Sequence, residues 1–332
     1  MDPLTHTATG LFLSRAGCKR WTPLATPILL LAANAPDIDI VTLAGGRLNY
    51  LHYHRHLTHS LIAMPLMALG TVALVRFVSR KSISWTGAFF AALLAVASHL
   101  LLDWTNVYGI RMLLPFSPRW LHLDFTNVYD LWLWVLFLVC IAGPFLGKLV
   151  GGEIGGRARA KAIHGRGFAW LALIVLLLYT CGRGVLHSRA VAELDSRLYE
   201  DSRPVRTLAV PGPANPWRWG GVVETDTFYA TGDVDLLTDF DPTHATIFHK
   251  PPPDPAIDAA ERLPEFREFL QFCLYPLWRV SPAPDIENGK LVEVIDMRFG
   301  SPLTPAFMVS ATLDAHLQPV ASSFQFGLNR KR

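Results

Sequence analysis

The chain has 332 residues, 51% of them hydrophobic and 17% charged, with a mean hydropathy of +0.28, which is too apolar for a soluble protein of ordinary composition. The net charge of +3 comes from 30 basic and 27 acidic residues, and the basic ones fall in short clusters between apolar runs, so nothing supports nucleic-acid binding. Cys18, Cys140, Cys181 and Cys273 are too widely spaced for a CxxC zinc site or a disulfide framework, and any bound metal must rely on His and carboxylate.

The opening MDPLTHTATG carries an Asp and a His where a signal peptide needs a basic region, and it leads to no A-x-A site; no removable signal is expected. An amphipathic stretch at 4–16 follows, short for a span: a half-helix, an interfacial helix, or a sixth crossing in a thinned bilayer. Apolar runs close to the roughly 20 residues that cross a bilayer lie at 22–43, 61–78, 85–102, 131–150 and 168–186. Five spans are expected. Three basic clusters alternate correctly for the cytoplasmic side: Arg15, Lys19 and Arg20; Arg76, Arg80 and Lys81; Arg157, Arg159, Lys161 and Arg166. The loops at 44–60 and 103–130 then face outward, and so does everything after His187. That tail is Pro- and Gly-punctuated, with β-favouring runs at 289–300 and 306–317 that read as two strands, and a helical segment at 259–273. The expected fold is mainly α: a polytopic membrane helical bundle of about five spans plus a short N-terminal helix (1–187), followed by a small β-rich (α+β) extramembrane domain (188–332).

The candidate chemistry precedes residue 131. Asp37 and Asp39 follow an apolar run, where an ionised carboxylate costs about 2.5 to 3.5 kcal/mol and therefore needs a reason. Pro36 disturbs the helix, and in an unwound segment both carboxylates can meet one cation; alternatively the helix ends near Asn34 and both are solvated. His52, His54, His56 and His59 lie within LHYHRHLTHS, an unusual density of a common metal ligand. In a helix His52, His56 and His59 share a face, in a loop His54 and His59 converge, and an interfacial aromatic belt is the rival reading. His99 and Asp103, four apart in SHLLLDW, present imidazole and carboxylate on one helical face. His6 joins them if the first helix runs inward to Arg15.

Taken in order, DPLTH, PDID, HRHLTHS and SHLLLD, followed by a Gly and by LLPFSP, resemble the YdjM-like family of inner-membrane proteins over residues 1–130. The resemblance implies a multi-pass bacterial inner-membrane protein with metal-dependent hydrolase chemistry, and ligands at His6, Asp37, Asp39, His54, His59, His99 and Asp103. One departure is His56, where the pattern has Gly after the HR pair. It leaves open whether His56 joins the ligands, a question that extends to His52 and Asp124. The HxxxD element is also similar to one in secreted zinc-dependent phospholipase C. NPWRW, LYPLWRV and IDMRFG look like a C-terminal extension found in some members.

The function expected on these grounds is metal-dependent hydrolysis with one or two divalent ions, zinc first. Asp39 or Asp37 is alternatively the general base and not a ligand, and Arg55 would stabilise developing substrate charge or contact lipid phosphate. A phosphate-ester or lipid-linked substrate at the outer face fits that location, and the lipid bilayer is the expected partner. The alternatives are a metal-braced scaffold whose tail binds a partner, and an ion-handling or transport protein.

Overall fold

A computed structural model describes residues 1–162 and 165–327; the side chains of Arg157, Arg159 and Lys161, in the third basic cluster, lie outside the described set. Helix α1 (Pro3–Ala16) starts where Asp2 accepts the amides of Leu4 and Thr5 at 3.0 and 3.1 Å, with Pro3 in the first turn, where its missing N–H is not needed. It is followed by α2 (Ala25–Ala32), a 3-10 segment (Ala35–Gly45), α3 (Arg47–Tyr53), a 3-10 turn (Leu57–His59), α4 (Met64–Ser79) and α5 (Trp85–Trp104). Helices α6 (Leu131–Ala162) and α7 (Gly165–Asp195) complete the helical region.

Helices α1, α2, α4 and α5 pack through small residues. Ala25, Ala32, Ala33, Ala68, Ala88, Ala91, Ala92 and Ala95 are buried at their contacts, the device by which helices approach closely where burial of apolar surface from water supplies little drive. Gly10 marks a close approach of α1 to α2: a Cβ there would lie 2.6 Å from the Leu29 carbonyl oxygen. The 4–16 stretch is thus a helix buried along much of its length against α2 and α5.

Among the described residues, two helices, Trp85–Trp104 and Gly165–Asp195, are long and apolar enough to cross a membrane, and the number rises to as many as four if each of two bent pairs forms one span. The expected five spans differ from this for local reasons. The 22–43 run breaks between Ala25–Ala32 and Ala35–Gly45, where Pro36 cannot donate and the Asn34 side chain turns back to the Leu30 carbonyl at 2.9 Å. The 61–78 run is bent away from the preceding His-rich segment, and the apolar part of α6 is the shorter Leu131–Gly147.

The C-terminal region holds two four-stranded antiparallel meanders, β1 (Arg206–Pro211), β2 (Arg218–Glu224), β3 (Phe228–Asp235) and β4 (Thr246–His249), then β5 (Pro276–Pro282), β6 (Lys290–Asp296), β7 (Phe307–Leu313) and β8 (Pro319–Phe326). The two strands expected at 289–300 and 306–317 are β6 and β7, in register through Val292 and Ala311. The single helix expected at 259–273 is two, α8 (Pro255–Glu261) and α9 (Pro264–Phe272), because Pro264 starts a new helix. Leu208, Val222, Tyr229, Leu277, Ile295 and Met297 form a buried cluster drawn from both sheets.

The chain divides into two compact units. One comprises Met1–Asp39, Arg55–Val185 and Pro213–Pro216; the other comprises Ile40–His54, Leu186–Gly212 and Trp217–Arg332.

Candidate metal centre

Three pieces of chain bring four side chains together. Asp37 stands on the 3-10 segment after α2, His59 closes the Leu57–His59 turn, and His99 and Asp103 lie one turn apart on α5. One donor atom from each falls within 4.8 Å of all the others. His59 Nε2 lies 3.2 Å from His99 Nε2, 3.5 Å from Asp37 Oδ1 and 3.4 Å from Asp103 Oδ2. His99 Nε2 lies 3.6 Å from Asp37 Oδ1 and 3.4 Å from Asp103 Oδ2. Four ligands held tetrahedrally at about 2.0–2.1 Å from an ion would be separated by about 3.3–3.4 Å, which is close to these five spacings; Asp37 and Asp103 lie within 4.8 Å of each other, and the group could hold a metal ion.

The tautomers point the same way. His99 Nδ1 donates to the Ala33 carbonyl at 2.7 Å, which leaves Nε2 as a lone pair. His59 Nδ1 faces the Asp39 carboxylate at 3.4 Å and the Thr58 hydroxyl at 3.1 Å, so its Nε2 also turns to the cluster as an acceptor. Among the described residues, buried Asp103 Oδ2 and both His6 ring nitrogens lack a hydrogen-bond partner. Lone pairs converging in a buried site repel unless a cation lies between them, and a donor set of imidazole and carboxylate is one that metal ions take.

The other candidates surround this group. Asp39 sits behind His59 and accepts the Arg55 amide at 2.8 Å. Arg55, at a left-handed φ of 54°, sends its guanidinium to Asp103 Oδ1 at 3.1 Å, Asn106 Oδ1 at 3.1 Å and the Gly109 carbonyl at 3.0 Å, over the Tyr108 ring. It is buried and tied to the opposite oxygen of a cluster carboxylate. His6 stacks on His99 at 3.7 Å between ring centroids, with Nε2 3.4 Å from Asp103 Oδ1, an oxygen also contacted by the Met1 amino group. His54 stacks on Tyr50 at 4.5 Å and is not one of the four converging residues. His52 Nδ1 meets Glu268 Oε2 at 2.6 Å, and the His56 carbonyl accepts the His59 amide at 3.0 Å. Asp124 accepts His122 Nδ1–H at 2.8 and 2.9 Å.

Asn106 went unnoticed in the sequence. Its side-chain oxygen takes Arg55 and the amides of Tyr108 and Gly109 at 2.9 and 3.2 Å, locking the loop after α5 onto the Asp103 partner. Its position three residues after Asp103, in a turn ending at Gly109 (φ 77°), was the available signal.

The sequence pattern of the YdjM inner membrane protein family matches residues 1–190, more than half the chain and all four converging residues. The chain belongs to the YdjM family. Its membrane-spanning helices agree with the inner-membrane description of that family. The chain is also similar to a Bacillus subtilis protein named "Uncharacterized protein YfhP", 24% identical over 317 residues that cover 91% of this chain and 88% of the relative. The likeness therefore extends through the C-terminal region. No solved structure matches the chain.

Proposed function

We propose that this YdjM-family protein is a membrane-embedded, metal-dependent hydrolase whose ion is held by Asp37, His59, His99 and Asp103. The observation that carries the reading is the convergence of four lone-pair donors, with five of their separations between 3.2 and 3.6 Å. When bound, a divalent ion, zinc first, supplies Lewis acidity that polarises a phosphoryl or acyl oxygen and eases deprotonation of water. The residues around it hold the donors in place. Ala33 fixes the His99 tautomer, Asp39 and Thr58 fix His59, and Arg55 holds the far oxygen of Asp103. Asp39 and Arg55 act here as positioning residues.

One ion fits better than two. A second cation between His6 and Asp103 Oδ1 would sit beside the Arg55 guanidinium, which already contacts that oxygen at 3.1 Å. Asp37 is the open side of the cluster, with 24% of its side chain exposed while the other three ligands are fully buried. Substrate approaches past Asp37, and its carboxylate is the group able to exchange ligation for general-base work. The alternating basic clusters support five crossings with the centre and the C-terminal domain on the periplasmic side, and a phosphate-ester or lipid-linked substrate follows from that place.

A second reading, a metal brace within a scaffold, has one observation in its favour: the cluster offers four protein donors, whereas catalytic zinc sites commonly use three. Purified protein in nanodiscs, loaded with zinc, separates them. Hydrolysis of a panel of phosphate mono- and diesters, soluble and lipid-linked, lost in His99→Ala, supports the enzyme. Stoichiometric zinc that raises thermal stability with no turnover of any ester supports the brace.

A further inference from the structure

The segment Ile40–His54 lies in sequence between the candidate ligands Asp37 and His59, yet it groups with the C-terminal unit. Helix α3 packs against α9 and β8. His52 Nδ1 meets Glu268 Oε2 of α9 at 2.6 Å, and the Tyr50 ring meets Phe326 of β8 edge-on at 5.7 Å. The segment is also closed on itself, since Asn49 Nδ2 donates to the Thr42 carbonyl at 2.9 Å. Its two ends are clamped where they leave: the Arg55 amide donates to Asp39 Oδ2 at 2.8 Å, and that carboxylate faces His59 Nδ1 at 3.4 Å.

We propose that the C-terminal domain positions the metal centre by gripping Ile40–His54 through His52–Glu268 and Tyr50–Phe326, thereby setting the Asp39–Arg55 clamp that aims His59. This rests on the metal reading above and gives the domain a role in the same site. A seven-residue helix has too few internal hydrogen bonds to hold itself, so α3 keeps its shape through what it packs on. Loss of that grip frees both ends of the segment, and the imidazole held by the Asp39 carboxylate loses its orientation. His52, Glu268, Tyr50 and Phe326 are positioning residues, since none belongs to the four-residue donor cluster.

The test uses the full chain in detergent or nanodiscs with His52→Ala, Glu268→Ala and their double variant, and with Tyr50→Ala. The His52 and Glu268 side chains are 36% and 28% exposed, so their removal leaves the domain folded. Zinc affinity, measured by competition with a chromophoric chelator, falls about two- to fivefold in each single variant and no further in the double, as expected for one partly exposed pair. With Tyr50→Ala added, it falls about tenfold. Cobalt-substituted protein shows a shifted visible spectrum. Independently of metal, hydrogen exchange accelerates at the Arg55 and His59 amides and in 35–39. Faster exchange confined to 47–53, with unchanged zinc affinity and cobalt spectrum, overturns the inference. Failure of the parent protein to bind zinc, with exchange still spreading to Arg55 and His59, defeats the metal reading and leaves the mechanical coupling standing.

Discussion

Replacing Asp39 by Asn separates a carboxylate that supports a ligand from one that is a ligand. Asp39 Oδ2 accepts the Arg55 amide at 2.8 Å, and an Asn oxygen keeps that bond, so the backbone clamp survives. What is lost is the negative charge facing His59 Nδ1 at 3.4 Å, which fixes the tautomer and raises the basicity of Nε2. Removing such a partner weakens metal binding by about 10- to 100-fold, or about 1.4 to 2.7 kcal/mol. Removing a ligand costs more. Dividing the roughly 10–16 kcal/mol of a four-ligand zinc site evenly gives about 2.5–4 kcal/mol for His99→Ala, on the order of 100- to 1,000-fold. Chelator competition on both variants in one detergent at one pH reads the difference. Asp39→Asn losing zinc as completely as His99→Ala would make Asp39 a ligand and refute its assigned place; zinc affinity equal to the parent's would show that it does not orient His59.

Gly10→Ala places a Cβ 2.6 Å from the Leu29 carbonyl oxygen and should lower the Tm of the detergent-solubilised protein, with a cost of about 1–3 kcal/mol from overpacking; an unchanged Tm contradicts the close α1–α2 packing. Burial pushes the Glu224 carboxyl up, but hydrogen bonds and charge from Lys250 and Arg206 outweigh it and hold the group below its ordinary value of about 4.5. Its folded value is depressed, so its contribution to stability is full above that ordinary value and is lost as pH falls through the folded one; acid unfolding followed by tryptophan fluorescence should be less steep in Glu224→Gln, and equal steepness rejects the assignment. Burial, and then the Asp296 carboxylate, push the Cys273 thiol well above its usual range, so in a Cys181→Ser background maleimide should label it only after denaturation; rapid labelling at Cys273 in the native protein would contradict its burial.

The histidines and aspartates were legible as residue types and, through the family resemblance, as one candidate ligand set of seven, but which four converge was not. His99 and Asp103 follow from helical spacing alone, since four residues along α5 put both on one face. Asp37 and His59 reach them only because α2 ends at Ala32 and the chain around His59 turns in a short 3-10 helix, and neither break shows in hydropathy. The same breaks explain why two of the five apolar runs lie in bent pairs and not in unbroken crossing-length helices. Strands β6 and β7 were readable from alternation, whereas the capture of α3 by the C-terminal unit links residues more than 200 apart, Glu268 to His52, and no local pattern carries that. Arg55 looked like a group for substrate charge because it neighbours histidines; in the fold its guanidinium is turned to Asp103, Asn106 and Gly109.

The most direct test of the account is zinc X-ray absorption on the purified, full-length protein, with metal content measured on the same sample. The account predicts about one zinc per chain, bound by a mixed shell of two nitrogen and two oxygen donors at about 2.0–2.1 Å, and loss of that ion in the His99→Ala, Asp103→Ala double variant. Zinc retained in the double variant, or a shell containing sulfur, would contradict it.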